Sequence, residues 1–285
     1  MKGYPVGFAR AMCGFTDANG VFIGKAATLT AGSSSGAYVL DNVKTAALSV
    51  VAETALQIQG GDRIKGIITF GQPRMQAFDL TVSDLDTDLI ALITQSTPNT
   101  TNTKRVKYGY NPNRAFPQVM FWALQQRYVL DDGIGTEKVI TTYFPRAETM
   151  IKRGQYQFRG ESDSVIRITP KTVSKSHTGQ SFGSGANNLA FGFEQDKADY
   201  YEVATDYPVH LMAYKRPDAL TATFNSDYKP VSNVITLNAT GNEFIAAGVP
   251  TALTSFSTTT NAAVIPAGGA ANDVCVLEYE TNYVP

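Results

Sequence analysis

Histidine, cysteine and tryptophan are almost missing from this chain: its 285 residues include two, two and one of them. The scarcity excludes most of the side-chain constellations that perform chemistry. Zinc sites draw three or four ligands from His, Cys and carboxylates at short spacing, and no such spacing occurs here. His177 lies in a polar, Gly-rich stretch, and His210 alternates with Val209 and Leu211, which turns it to the opposite side of a strand. Neither histidine accompanies a nucleophile motif, and G-x-S-x-G is absent. The phosphate-cradling patterns G-x-x-x-x-G-K-[ST] and G-x-G-x-x-G after a strand are absent as well. Cys13 and Cys275 stand near opposite ends. Two buried thiols are expected, with one end-to-end disulfide as the alternative.

Charge is also sparse. Only 17% of residues are charged and the net charge is −1, so the basic excess of a sequence-reading nucleic-acid binder is missing. No run approaches the ~20 apolar residues of a membrane-spanning helix. Pro5 and Arg10 interrupt the N-terminal stretch where a signal peptide needs an apolar core. Synthesis and use in a cytoplasm, or in a particle assembled there, is the expectation, with no membrane anchor. No catalytic, cofactor-binding or metal-ligating residue is nominated, no cofactor is expected, and the role is read as structural and non-enzymatic.

What the chain does have is β-type patterning, with Thr, Ser, Asn and Gly between short apolar runs. Residues 1–25 hold five glycines and read as an irregular N-terminal arm with at most one short strand, near residues 20–23. Alternation over 26–31 and 37–59 predicts strands around a GSSSG turn. Strands are expected again at 64–70 and 75–82, where Phe78, Leu80 and Val82 alternate with Ala77, Asp79 and Thr81. Ser83 then reads as an N-cap, and Leu85, Leu89, Leu92 and Ile93 stripe one face of a helix over about 84–95. A long polar loop, 96–118, follows. The segments 119–130 and 137–144 predict a hairpin around Asp131-Asp132-Gly133, and further strands are expected at 155–159, 165–169, 198–207 and 209–214.

Composition breaks near Arg216-Pro217. Up to residue 217 there are 23 basic and 19 acidic residues, a balance of +4; beyond it there are one and six, a balance of −5. The stretch 218–285 is therefore expected to be its own small β-sandwich module, with strands near 234–237, 243–246, 254–257, 263–265 and 274–279. Three local features have a chemical and a plain reading. Asp84, Asp86 and Asp88 do not share one helix face, so they favour the helix dipole rather than a metal. Asp131-Asp132-Gly133 lacks the acidic positions of a calcium loop and reads as a turn. Lys104-Arg105-Val106-Lys107-Tyr108-Gly109-Tyr110 could stack and pair with a nucleic-acid strand; a subunit-contacting loop is the preferred reading.

The order of these parts resembles the major tail tube proteins of long-tailed (siphovirus-like) bacteriophages. The resemblance rests on the Gly-rich arm, the strand ending Gln59-Gly60-Gly61-Asp62, and the alternating strand entering Ser83-Asp84-Leu85-Asp86. The Leu-striped helix, the polar loop, the hairpin and the late strands ending near 215 complete it, over roughly residues 20–217. It implies a mainly β fold: a tail-tube-type β-sandwich or split barrel flanked by one α-helix, here with a small C-terminal Ig-like or other β-sandwich domain. It implies a virion structural protein of the tail, assembled in the host cytoplasm. Its copies would form stacked hexameric rings around a channel for genome delivery. Its partners would be itself and the tape measure, tail terminator and distal tail proteins, with DNA passing the lumen without sequence-specific binding. The family's lumen is expected to be negative, whereas the tube domain here sums to +4, so no lumen residue is assigned. The alternatives are another ring-forming virion or injection-system component, such as a tail terminator or neck protein, and, from a different class, a carbohydrate- or surface-binding β-sandwich module.

Overall fold

The fold is taken from a computed structural model. It describes residues 3–16, 22–25, 28–47, 50–51, 54–60, 63–70, 74–75, 77–83, 87–94, 98–102, 105–108, 118–152, 163–170, 173–174, 197–198, 201–218, 220, 222–225, 228, 243–246, 249–252, 255–257, 259, 261–265, 267, 271–272 and 274–281. The class is mainly β, with antiparallel sheets and a single helix among the described residues.

The centre is a nine-stranded sheet. Its spine is the long hairpin of strands Gln118–Leu130 and Glu137–Lys152, paired from Val129–Glu137 back to Gln118–Thr149 with one bulge near Met120. The strand Gly3–Thr16 lies against the first arm. Ser164–Pro170, Phe78–Val82 and Val43–Ala47 extend the sheet beyond the second. Phe78, Leu80 and Val82 are buried and Asp79 and Thr81 are less so, as the period-2 alternation requires.

The first surprise is the N-terminal strand. Residues 3–16 are a full sheet member rather than an irregular arm. Glycine ordinarily weakens a strand, yet it also marks bulges and close backbone approach. Both occur here. The register shifts between Pro5 and Gly7 and again between Phe8 and Arg10. At Gly14 a Cβ would stand 2.5 Å from the Phe22 ring and 2.8 Å from the Gly24 carbonyl, so only glycine lets the neighbouring strand close in.

Each face of this sheet is covered. On one face Trp122, Phe144, Phe78, Leu80, Ile166 and Ile168 form a core with Leu89, Leu92 and Ile93 of the helix Thr87–Thr94. The helix falls inside the expected span; Leu85 and the carboxylates Asp84 and Asp86 lie outside the described residues. On the other face Met12, Phe121, Ala123 and Tyr143 pack against Leu211, Ala213 and Val276 of a second, five-stranded sheet.

That second sheet corrects the expected division of the chain. Val209–Lys215 pairs antiparallel with the last strand, Val274–Glu280, from Val209–Glu280 to Lys215–Val274. Ser34–Gly36, from the segment expected to be a turn, pairs on the other side of Val209–Lys215. The boundary between 217 and 218 is thus crossed by the whole length of a strand pair, and 218–285 is not a self-contained sandwich. The turn instead falls just before, where the Ser33 amide donates to the Thr30 carbonyl at 3.0 Å. A three-stranded sheet of Ala222–Asn225, Ala262–Ile265 and Ser255–Phe256 forms a third layer. Its Ala263 and Ile265 pack on Met212, Tyr214, Cys275, Leu277 and Tyr279. Arg216, itself buried, ties the crossing together: Nη2 donates to the Leu220 carbonyl at 3.0 Å.

The polar loop 96–118 contains a two-stranded hairpin, Pro98–Asn102 with Arg105–Tyr108, so its central part is not loop. The strands near 243–246, 263–265 and 274–279 are observed as Glu243–Ala246, Ala262–Ile265 and Val274–Glu280. Those expected at 155–159 and 234–237 lie outside the described residues.

Candidate functional site

Two places in the fold depart from an ordinary packed sandwich: a polar row inside the seam between the first two sheets, and one exposed end of the large sheet.

The row follows from register. Arg10 stands opposite Gln125, and Gln125 opposite Thr141. Each lies two residues from an apolar seam residue, Met12, Ala123 or Tyr143, so alternation sends all three inward. All three are buried. A buried guanidinium needs partners, because an unpaired one is costly. Arg10 Nε donates to Gln125 Oε1 at 2.8 Å and Nη2 to the Val209 carbonyl at 2.7 Å. Gln125 Nε2 donates to the same carbonyl at 2.7 Å. One carbonyl at the start of a second-sheet strand is therefore held by two side chains of the first sheet.

The last strand adds two carboxyls to this seam. Glu278 is fully buried and accepts a hydrogen bond from the Tyr143 hydroxyl. Burial raises its pKa well above the usual carboxylate range, the tyrosine opposes that shift, and Glu280 adds to it. Glu280, also buried, is raised to about 7 by burial and then by Asp206, while the backbone amides of Tyr207 and Asp206 and the charge of Lys138 act the other way. Lys138 forms an ion pair with Asp206 at this edge. Two carboxyls at i and i+2 on a strand stand about 7 Å apart by strand geometry, a spacing seen in acid–base pairs. Both are buried where the last strand meets the large sheet.

The exposed end is made by the same two strands further out. Past Arg10 and Gln125 the N-terminal strand and the first hairpin arm run on together, with Gly3 opposite Leu130. Three large apolar side chains stand in solvent there: Tyr4 is 67% exposed, Val6 63% and Ile134, at the hairpin turn, 89%. Among the described residues no strand pairs with the outer edge of residues 3–8. The turn itself is rigid in its bonding. Asp132 Oδ1 accepts the Ile134, Gly135 and Thr136 amides at 3.0, 2.7 and 3.3 Å, and Gly133 and Gly135 take positive φ. The Thr136 hydroxyl and these amides hold the Asp132 pKa well below the ordinary range. Asp131-Asp132-Gly133 is thus a turn, as its sequence predicts.

The remaining candidates are dispersed. His210 is buried in the third-layer interface, edge-on to Tyr228 and Tyr279 with ring centroids at 4.4 and 5.6 Å. His177 lies outside the described residues. Trp122 is buried and donates from Nε1 to Thr149 Oγ1 at 2.8 Å, so it offers no platform to a sugar. Cys13 and Cys275 are both free and buried, in different cores; burial raises the Cys13 pKa strongly. Among the described residues no group of three or more His, Cys, Asp and Glu is placed to hold a metal. The alternation that marks Phe78 as core would also have found Arg10 as inward-facing, had residues 1–16 been read as strand. No family model matches the chain, and no curated protein matches it.

Proposed function

We propose that this chain is a structural subunit that assembles with copies of itself, and that its assembly is the tail tube of a long-tailed phage. The observation that carries the reading is the exposed end of the large sheet. An outer strand edge over residues 3–8, unpaired among the described residues, carries Tyr4 and Val6 beside the exposed Ile134. A long apolar edge is a liability on a monomer, and joining it to another copy removes the liability while defining an assembly rule. The tube assignment adds the sequence resemblance: a lone striped helix under a sheet, a long hairpin, and late strands closing the body. In that assembly the subunits form stacked hexameric rings around a channel for the genome.

Negative-stain electron microscopy of the concentrated protein tests both steps. Rings with a central pore, or stacked tubes, support the tube; closed oligomers without a pore support self-assembly and reject the tube. A uniform monomer at all concentrations rejects both. A Val6→Lys variant separates edge pairing from other contacts, because a lysine on an edge strand blocks further pairing. It is expected to stay monomeric with an unchanged circular dichroism spectrum.

A further inference from the structure

We propose that Glu278 and Glu280 make the last strand a pH-sensitive fastener: neutral, the two carboxyls close the seam; ionised, they open the second sheet locally while the large sheet stays folded. The placement is specific. Both residues project from the seam side of Val274–Glu280, alternating with Leu277 and Tyr279 on the other side. Val274–Glu280 is hydrogen-bonded to Val209–Lys215 on one flank and to Glu243–Ala246 on the other, so loosening it divides the second sheet.

The charges around the pair are unbalanced. From the N-terminal strand comes Arg10, whose Nε and Nη2 are directed to Gln125 and the Val209 carbonyl. The hairpin supplies the Tyr143 hydroxyl to Glu278, and Lys138, which pairs with Asp206. Asp206 adds a third carboxylate beside Glu280. On the adjoining strand Phe244 pairs with Leu277, which puts Glu243 at the register position toward Glu278. His210 stands on the opposite face, with Tyr228 and Tyr279. Glu202 of the neighbouring strand is exposed and bonded to Thr142. Glu278 Oε2 and Glu280 Oε2 are buried and meet no hydrogen-bond donor among the described residues, which favours the neutral form of each.

The sign of the effect is fixed by linkage. In the unfolded or opened strand both carboxyls ionise near 4.5. In the closed seam Glu280 holds its proton up to about 7, and burial raises Glu278 in the same direction. Closure is therefore fully supported below 4.5. It weakens by up to about tenfold per pH unit per carboxyl as pH rises above that value, through about 7 for Glu280, with Glu278 acting in the same sense.

The chain carries its own reporters. Cys275 sits in the last strand and Cys13 in the large sheet, both buried. Opening of the second sheet exposes Cys275 alone, and global unfolding exposes both. Full-length protein is alkylated with iodoacetamide across the neutral range; the Cys275 and Cys13 labelling rates are read by peptide mass spectrometry and each is divided by the rate of a free cysteine peptide at the same pH. The corrected Cys275 rate is expected to exceed that of Cys13 and to rise at least about tenfold over two pH units, with no such rise in the E278Q/E280Q variant. A flat Cys275 rate in the wild type, a Cys275 rate no faster than that of Cys13, or an undiminished rise in that variant overturns the proposal. Should the double variant not fold, Glu280→Gln and Asp206→Asn each give a shallower rise; a wild-type curve in both overturns it equally.

Discussion

The two faces of the large sheet are buried by different means. On the helix side the cover is almost wholly apolar, and its one indole N–H is answered within the same sheet by Thr149. On the seam side the cover is another sheet, and the contact includes Arg10, Gln125, Thr141, Tyr143 and Glu278. Apolar burial is non-directional and tolerates repacking. A buried polar row is directional: each group requires one partner at one place, and a slip of register leaves several unsatisfied. The helix side thus supplies stability that many sequences could supply. The seam sets which strand of the second sheet meets which strand of the first.

The largest effect is expected when the last strand of the second sheet is cut away. A chain ending after Arg216 loses Val274–Glu280 and uncovers Met212, Tyr214 and His210. It is expected to bind a hydrophobic dye through the uncovered faces while the helix-side core around Trp122 still melts cooperatively. A fragment that binds no dye would show that the last strand covers nothing that needs burial. On the helix side the matching change is Leu89→Asp, which drives a carboxylate into the apolar core beside Trp122 and Phe78. Loss of soluble protein is expected, and a wild-type yield with a wild-type melt would contradict the helix packing described above.

Those two regions were unequally legible. The helix side could be read in advance because its signals are local: Phe78, Leu80 and Val82 at period two, and Leu89, Leu92 and Ile93 at helical spacing. The seam could not. Its partners come from residues 10, 125, 209 and 278, and nothing local specifies that 209–215 pairs with 274–280. The charge break at 217 looked like a domain boundary, but charge reports solvent exposure and association, not strand pairing. The glycines of 1–16 misled for a related reason. Gly14 is demanded by the approach of Phe22 and Gly24, a tertiary fact that composition renders as looseness. Arg10 was then hidden inside what read as an irregular arm.

Single polar deletions on the two faces should differ in cost. Arg10→Ala removes the donors to Gln125 Oε1 and to the Val209 carbonyl in a closed seam. Two charge-assisted bonds predict a loss of about 3–5 kcal/mol. Thr149→Val removes the one acceptor of the Trp122 N–H while keeping the shape of the side chain, and a loss of about 1 kcal/mol is expected. Denaturant titration of the two variants measures both. Equal losses would mean that the seam is no more demanding than the apolar core, and the distinction drawn between the two faces would fail.

The smallest effect is expected where neither face is involved, at the hairpin turn. Asp132 gathers three amides and the Thr136 hydroxyl, and these bonds hold its pKa below that of the unfolded chain. A depressed carboxyl contributes stability that is present above its unfolded pKa and is lost as pH falls through the folded one. Asp132→Ala should therefore lower the melting temperature slightly at neutral pH and leave it unchanged in strong acid. The seam carboxyls have the opposite sign, since their closed-state pKa values are raised. Melting curves over a pH series distinguish the two. Asp132→Ala flattens only the acid limb, whereas E278Q/E280Q flattens only the decline toward alkaline pH. A single variant that flattened both limbs would mean that turn and seam titrate as one unit, and the exposed end and the seam would have to be treated as a single coupled device.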